Sequence, residues 1–404
     1  MCALAPVGCL IFNISTRYMV QSSVLVPMRY RSFVYRPIHP HLYKVFEFGL
    51  PSSVFTEVDP KAHVVLKSML GSFFSRQGIL KLEGVIQDQI NKLVSQLIPN
   101  HKTTPADMKY AFRAATFDII TQYTFRTNLD MTSYPAFKHP IMLTVDGRIR
   151  SKWAFKHFPF LVGLSKSVPK WLSGILMPSS TWQLGALRDM GQLVDEAMRS
   201  TEAEEDKEDR NVFYTLIRNA GTKYRHLITR GYLVSEGLDL RVAGSDTVAN
   251  ACAIGSRYLV KYPEVRRKLQ TELDEAWPDR DRPMPLEKLE KLPYLTAVIK
   301  ESLRLSHGVV TPMSRIVSDT DVSIAGHAVP PGTVVGIANS FVHLNADIFP
   351  DPTRFYPERW LDAKENGHSL DRYLVTFGKG PESCLGITVS EMYMILRNYS
   401  GSWS

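Results

Sequence analysis

The chain contains 404 residues, of which 44% are hydrophobic, and its formal net charge is +8. This composition is typical of a globular protein with a large core. Length alone would allow two or three domains, but no long linker or internal repeat divides the chain, so we expect a single domain over residues 1–404. We find no dense Lys/Arg run with interleaved aromatic residues, which argues against nucleic-acid binding.

The excess of basic residues fits either a mildly basic soluble surface or a basic face for an acidic protein or a membrane. The four cysteines are scattered and include no Cys-x-x-Cys pair, which argues against a disulfide framework and a zinc knuckle and favours a reducing compartment. The apolar stretch Cys2–Phe12 is shorter than the roughly 20 residues that span a bilayer, and it lacks the positive start of a secretory signal. We therefore expect no transmembrane helix.

The first half of the chain is predicted to be mostly helical. Apolar residues recur at helical spacing over Ile79–Leu97, and Pro105 opens a helix that runs to about Phe125. The segment Trp153–Met177 predicts either core helices broken at prolines or a surface that dips into a membrane interface. The stretch Arg199–Asn211 is dense in charge and predicts a solvated loop.

The second half predicts long helices followed by a small sheet. A helix is expected from about Thr229 to Lys261, another over Pro263–Trp277, and a third opened by Pro293. The short runs SRIV, VSIAG and TVVGIA read as strands, and FPDPTRFYPERW reads as coil. The expected fold class is mainly α with a small β region.

A glycine-rich loop, FGKGPESCLG, places Cys384 near the end of the sequence. Glycines let backbone N–H groups approach a ligand closely, and such groups stabilise a thiolate, as does the start of a helix from Leu385. The alternative is a cysteine that serves only in packing. The pair Gly378-Lys379 does not form a phosphate loop, because no Ser or Thr follows it.

Glu301 and Arg304 lie three residues apart on one predicted helix and can pair. They form either a surface salt bridge or, since apolar residues surround them, a buried pair. A buried arginine needs partners, and a second acid–base run downstream contains Arg359. Glu301 with two arginines therefore predicts one network.

The run Ala243-Gly244-Ser245-Asp246-Thr247 lies inside the long helix. Asp and Thr are poor helix-interior residues, and Gly244 removes a side chain, which leaves a flat site for approach. Asp246 and Thr247 point about 100° apart, so that one could face solvent and the other a cavity. This arrangement suits proton delivery, unless it is a coincidence of sequence.

Together, and in this chain order, these motifs resemble the cytochrome P450 family of haem-thiolate monooxygenases. The resemblance extends from about Ser53 to Gly386. The family pattern around the cysteine is Phe-x-x-Gly-x-Arg-x-Cys-x-Gly. The matching positions are Phe377, Gly380, Cys384 and Gly386 in the loop, Glu301 with Arg304, Arg359 in the Pro-Glu-Arg-Trp run, and Ala243 to Thr247 in the long helix.

The resemblance implies a cytochrome P450 fold that holds haem b between the Asp246–Thr247 helix and the Cys384 loop. The Cys384 thiolate would be the proximal iron ligand, and Asp246 and Thr247 the catalytic pair that relays protons. Likeness to fungal natural-product members implies propionate contacts on one helix and one strand. The other implied contacts are Ala243, Gly244, Phe377, Gly380 and Gly386 around the haem, His63 and Lys67 at one propionate, Arg315 at the other, and Glu301, Arg304 and Arg359 as a brace for the loop.

The implied activity is insertion of one oxygen atom from O2 into an apolar small molecule, a secondary-metabolite intermediate of terpenoid, polyketide or alkaloid type. Electrons would come from NADPH through a separate reductase that docks on the basic proximal face. The resemblance also implies a monomer at the cytosolic face of the endoplasmic reticulum membrane. Such a protein could contact the membrane peripherally. Two alternatives are a haem-thiolate isomerase or dehydratase that needs no reductase, and a non-enzymatic remnant that fails to hold haem.

The sequence departs from the family at three places. Glu382 stands where the family has an arginine that pairs with a propionate, and repulsion between two such charges is roughly 4 kcal/mol at about 4 Å and an effective dielectric near 20. Glu382 would protonate, turn outward or pair with Lys379. The other two departures are the ends: we expect the membrane anchor and much of the first sheet, and the last strands, to be absent. Val64 and Val65 also replace residues that are often basic.

Overall fold

The computed structural model describes most of the chain, and its described parts fall into two compact units, Pro40–Ala249 and Met1–His39 with Asn250–Ser404. The described residues are 10–14, 16–20, 37–47, 50–80, 82–100, 104–147, 158, 179–202, 211–279, 284–317, 322–324 and 327–387.

The unit Pro40–Ala249 is built from helices. They are α1 (Pro40–Glu47), α2 (Pro60–Gly71), α3 (Arg76–Leu80), α4 (Glu83–Asn100), α5 (Met108–Phe125), α6 (Ser179–Glu202), α7 (Val212–Ala220) and the first part of α8 (Arg230–Lys261), and residues 140–147 are also helical.

Helix α5 lies at the centre of this unit. Nearly all of its residues from Ala111 onward are buried, so it lacks the polar face of a surface helix. The side chain of Asp107 caps its first turn by accepting a hydrogen bond from the backbone N–H of Tyr110. Phe125 at its end packs against Phe213 of α7, with ring centroids 5.2 Å apart.

The second unit combines helices with two small sheets. Its helices are the remainder of α8, α9 (Pro263–Ala276), α10 (Leu286–Leu289), α11 (Pro293–Ser306), α12 (Asn339–His343) and α13 (Glu358–Glu365). Its strands are β1 (Leu10–Ile14), β2 (Thr16–Val20), β3 (Arg315–Ile316), β4 (Val322–Ile324), β5 (His327–Val329) and β6 (Val334–Val335).

The larger sheet has the strand order β1-β2-β6-β3, in which β2 and β6 are parallel and the other pairs antiparallel. Strands β4 and β5 form a separate antiparallel pair. Helices α11 and α13 pack around a core of Ala297, Phe349 and Trp360. The prediction of a mainly α fold with a small β region is confirmed, although β1 and β2 lie near the start of the chain and not late in it.

Two helix starts were located correctly from a proline, because proline at the first turn is a local signal. Helix α8 matches the expected Thr229–Lys261 to within one residue, and Pro263 and Pro293 begin α9 and α11. The three predicted strands also appear, as β3, β4 and β6, whereas β5 was not predicted.

Four predicted boundaries were wrong. The helix expected over Ile79–Leu97 is split into α3 and α4, with the buried residue Leu82 in a turn between them. The helix assigned to Pro105 begins only at Met108, after its cap. Part of the expected loop Arg199–Asn211 is helical, since α6 continues to Glu202. The coil expected up to Trp360 ends at Glu358, where α13 begins with an acidic residue in its first turn.

The N-terminal strands correct a further expectation. Much of the first sheet was expected to be absent. Strands β1 and β2 nevertheless pair with each other, and β2 also pairs in parallel with β6. The segment Trp153–Met177, for which core helices and a membrane-interface surface were both considered, lies outside the described residues apart from Phe158. Within the described part of the chain, no helix is long and apolar enough to cross a membrane.

Candidate active site

The Cys384 loop is closed by its own backbone. The N–H of Cys384 donates to the carbonyl oxygen of Phe377 at 2.8 Å, and the N–H of Ser383 donates to that of Gly380 at 3.0 Å. Gly378 and Gly380 have φ values of +67° and +78°, a backbone conformation that favours glycine. The glycines therefore form the turn that brings Cys384 back beside Phe377.

The thiol of Cys384 is exposed, whereas Phe377 and Glu382 are half-buried. A Cβ atom added to Gly386 would lie 4.0 Å from the sulfur, so a glycine at this position keeps that side of the sulfur open. The helix predicted from Leu385 is not formed over residues 385–387, which make a turn. The expected contribution of a helix N-terminus to the thiolate is therefore not present among the described residues.

Glu301 is the centre of a buried network. Its carboxylate accepts two hydrogen bonds from Arg304, at 2.8 and 2.9 Å, and one from Nε of Arg359 at 3.1 Å. The indole N–H of Trp360 and the backbone N–H of Tyr356 donate to it at 3.0 Å each. The Glu301 and Arg304 side chains are both 0% exposed, so their pair is not a surface salt bridge.

The remaining donors of the two arginines bind backbone carbonyl groups. Nη1 of Arg304 donates at 2.7 Å to His343 and also at 2.7 Å to Pro352. Nη1 of Arg359 donates to Pro350 at 2.8 Å. Burial lowers the pKa of Arg359, and Glu301 opposes this shift. The network thus fixes the chain between α12 and α13 to helix α11.

Two hydrogen bonds tie the start of the cysteine loop to this region. The backbone N–H of Val375 donates to Nε2 of His343 at 3.0 Å, and the hydroxyl of Thr376 donates to the carbonyl oxygen of Leu303 at 3.1 Å. Neither His343 nor Thr376 was singled out from the sequence. No local pattern marks them, because each contact joins positions far apart in the chain.

Asp246 on α8 is held by an arginine of α5. Nε of Arg113 donates to Oδ1 of Asp246 at 2.6 Å, and Nη1 of the same side chain donates to Asp146 at 2.9 Å. The hydroxyl of Tyr110 donates to the other oxygen of Asp146 at 2.7 Å. Burial raises the pKa of Asp246, although Arg113 opposes the shift. No local pattern links Arg113 to Asp246, because the two residues lie 133 positions apart.

The neighbours of Asp246 have different surroundings. Thr247 is exposed, and its hydroxyl donates to the carbonyl oxygen of Ala243, also exposed, at 2.8 Å. Gly244 does not open onto free space, because a Cβ atom there would come within 2.6 Å of the Ile120 side chain. The small residue at 244 thus allows α8 and α5 to approach closely.

The residues expected at the haem propionates lie on one helix and one strand. His63 is buried and Lys67 half-buried, one turn apart on α2. Arg315 on β3 is 4% exposed, and its Nε has no hydrogen-bond acceptor among the described residues. A buried guanidinium N–H without an acceptor is costly, so Arg315 fits a site for an anionic group such as a propionate.

Comparison with known proteins identifies the family. A family model described as Cytochrome P450 matches residues 20–397, and the chain therefore belongs to the cytochrome P450 family. This is a family of haem-iron proteins, and the curated relatives are oxidoreductases of the monooxygenase class.

Many relatives are fungal. The chain is 31% identical over 368 residues to cytochrome P450 monooxygenase MO6277 of Ascocoryne sarcoides, a match that covers 88% of this chain and 71% of the relative. It is 32% identical over 364 residues to cytochrome P450 monooxygenase claJ of Penicillium crustosum, covering 87% and 82%. It is 31% identical over 339 residues to cytochrome P450 monooxygenase flvC of Aspergillus flavus, covering 82% and 61%. The resemblance to fungal cytochrome P450 monooxygenases is thereby confirmed.

Proposed function

We propose that this chain is a haem-thiolate monooxygenase that inserts one oxygen atom from O2 into an apolar intermediate of a fungal secondary-metabolite pathway, of terpenoid, polyketide or alkaloid type. The observation that carries the proposal is the exposed thiol of Cys384 in a loop closed by its own backbone and tied to the Glu301 network. Similarity to cytochrome P450 monooxygenases of several fungi supports the same reaction class.

The residues present fit a haem group. Cys384 would supply a thiolate ligand to the iron, and Arg315 would supply a buried cation for a propionate, with His63 and Lys67 for the other. By resemblance to the family, Phe377, Gly380, Gly386 and Ala243 would also contact the haem. The side chain of Ile120 occupies the space beside Gly244. We therefore propose that Gly244 serves helix packing in place of the expected haem contact. When bound, haem supplies activation of O2, and a thiolate ligand favours O–O cleavage.

In the proposed reaction, the residues of this chain deliver protons and hold the Cys384 loop in a fixed geometry. A raised pKa lets the Asp246 carboxyl hold a proton at a higher pH than an ordinary aspartate does, which suits an acid that gives up and regains protons. The Thr247 hydroxyl is exposed beside it and can pass a proton on. Glu301, Arg304 and Arg359 would brace the Cys384 loop through the chain that they hold.

The proposals for the electron source and the location of the protein rest on its resemblance to the family. We propose that electrons come from NADPH through a separate reductase, which docks on a basic face of this monomeric protein. The net charge of +8 favours an acidic partner of that kind. We further propose, by resemblance to the family, that the protein lies at the cytosolic face of the endoplasmic reticulum membrane with peripheral contact to it, and that residues 1–404 form a single domain.

The test is the spectrum of the purified protein after reduction and addition of carbon monoxide. Parent protein should give the red-shifted Soret band of thiolate-ligated haem, and Cys384→Ser should lose it, because a serine hydroxyl is far too weak an acid to replace the thiolate. A parent protein without this band would support the non-enzymatic remnant. Turnover that proceeds without reductase would support the isomerase or dehydratase alternative.

A further inference from the structure

We propose that His343 is a positioning residue that holds the Cys384 loop in its thiolate-ligating geometry, by accepting a hydrogen bond from the N–H of Val375. The inference rests on the proposed haem-thiolate function. It adds to that function a side chain outside the motifs that suggested the family.

The side chain of His343 meets the chain just before the cysteine loop. It is 0% exposed, and its Nε2 accepts the hydrogen bond from Val375 at 3.0 Å. The carbonyl oxygen of Val375 in turn accepts from the N–H of Gly378 at 2.9 Å, and Phe377 closes the loop onto Cys384 at 2.8 Å. His343 therefore makes the first of these three hydrogen bonds, and the third ends at the backbone of Cys384.

The backbone of His343 meets the buried ion network. Its carbonyl oxygen accepts a hydrogen bond from Nη1 of Arg304 at 2.7 Å. His343 is the last residue of α12, where a carbonyl has no partner within the helix, and Arg304 supplies one. A single residue thus joins the Glu301–Arg304 pair to the base of the cysteine loop.

The protonation state of His343 matches this role. Burial lowers its pKa to about 3, and the nearby His307 and Arg304 add to the shift. The imidazole is therefore neutral at physiological pH, and a neutral ring that accepts at Nε2 carries its proton on Nδ1. A protonated ring would be a donor at both nitrogens and could not accept from Val375, so burial beside two basic groups preserves the acceptor.

The orientation of the ring is fixed by its neighbours. His307 stacks on it with centroids 6.1 Å apart, and Phe349 packs edge-on at 6.5 Å. The adjacent Thr376 is tied separately to α11 through Leu303. Two consecutive residues before the loop are thus anchored. Among the described residues, only His343 connects this anchor to the arginine network through both its side chain and its backbone.

The experiment compares two substitutions of His343 in the haem-loaded protein. His343→Leu keeps similar bulk without an acceptor, whereas the side-chain oxygen of His343→Gln can accept. The control is His368→Leu, which makes the same change at an exposed histidine. Haem content, thermal unfolding and the carbon monoxide spectrum are followed for each.

Since a buried N–H is left without a partner in the leucine variant, the thiolate-ligated band should decay roughly tenfold faster than in the parent. The glutamine and control variants should remain within about threefold of the parent rate. A leucine variant that is thermally destabilised but keeps the parent decay rate would overturn the proposal, because His343 would then be structural only. Absence of the band in the parent would instead defeat the haem-thiolate function. If the leucine variant does not fold, His343→Asn, whose shorter side chain falls short of Val375, replaces it with the same two deciding outcomes.

Discussion

Arg113 and Asp246 form an ion pair in which Nε of the arginine lies 2.6 Å from Oδ1 of the aspartate. The Arg113 side chain is only 3% exposed and is shared with Asp146, so the proposed proton-relay acid belongs to a cluster of two carboxylates around one cation. The ion pair engages Oδ1 of Asp246 and not Oδ2. We infer that Arg113 orients the Asp246 carboxylate, and that the carboxylate keeps its ability to bind and release a proton.

Asp246→Asn should separate orientation from acidity. The amide oxygen can still accept from Arg113, so we expect a loss of only about 1 kcal/mol in unfolding free energy. The amide cannot deliver a proton, so product should form at least about tenfold more slowly while reductant consumption continues. The measurement is product and peroxide formed per reductant consumed, with Asp146→Asn as the matched control. Tight coupling in Asp246→Asn would contradict the relay assignment.

Glu301→Ala should prevent stable folding more than it changes chemistry. Removal of the carboxylate leaves Arg304 and Arg359 as buried cations without their anion, which costs roughly 3–5 kcal/mol. The control is Lys268→Met, which breaks the exposed pair between Lys268 and Glu358 and should cost less than about 1 kcal/mol. Denaturant unfolding of both variants gives the comparison. Equal losses in the two would mean that the internal network contributes no more than a surface pair.

How far sequence alone could predict this site depended on the range of the contacts. The pairing of Glu301 with Arg304 is local, three positions apart on one helix, and the residue types indicated it. The hydrogen bond from Arg113 to Asp246 spans 133 positions, and that from Val375 to His343 spans 32. No spacing rule reaches such distances, so these partners appear only when tertiary packing is known.

The same limit explains the helix boundaries and Gly244. Proline at a helix start is read from one residue, which is why α9 and α11 were located correctly. The break at Leu82 interrupts apolar spacing that continues on both sides of it, and the filling of Gly244 by Ile120 requires knowledge of a helix 124 positions away. The sequence predicted an open surface at Gly244, but the packing of α5 against α8 occupies this surface.

Glu236 on α8 should make folding stability depend on pH. Burial raises its pKa to about 7 from an ordinary value of 4.5, with Asp239 adding to the shift, although the N–H of Val54 opposes it with a hydrogen bond at 2.8 Å. The folded state therefore binds this proton more tightly than the unfolded state. The contribution of Glu236 to stability is largest below pH 4.5 and is lost as pH rises to about 7, a change of about 3 kcal/mol in total.

The measurement is chemical denaturation of the parent and of Glu236→Gln between pH 5 and pH 8. Glutamine has no proton to lose, so the variant should lack this part of the pH dependence, and the two curves should diverge as pH rises. Glu287→Gln, at an exposed position, is the control and should follow the parent. Parallel curves for the parent and Glu236→Gln would show that Glu236 does not titrate in this range.

Glu382→Arg tests whether the departure from the family pattern at this position matters for haem. If haem binds, the family arrangement places a propionate opposite position 382, and an arginine would replace repulsion with a charge-assisted, two-point hydrogen bond. Glu382 is half-buried in the turn before Cys384, so solvent screens part of the effect. We expect haem transfer to an apo-acceptor protein to slow by roughly tenfold, and by less at high salt, where charges are screened. Glu365→Arg makes the same charge change at an exposed site on α13 and should leave the rate unchanged. Equal transfer rates for the parent and Glu382→Arg would mean that Glu382 points away from the haem, and the remnant hypothesis would then lose its main support in the sequence.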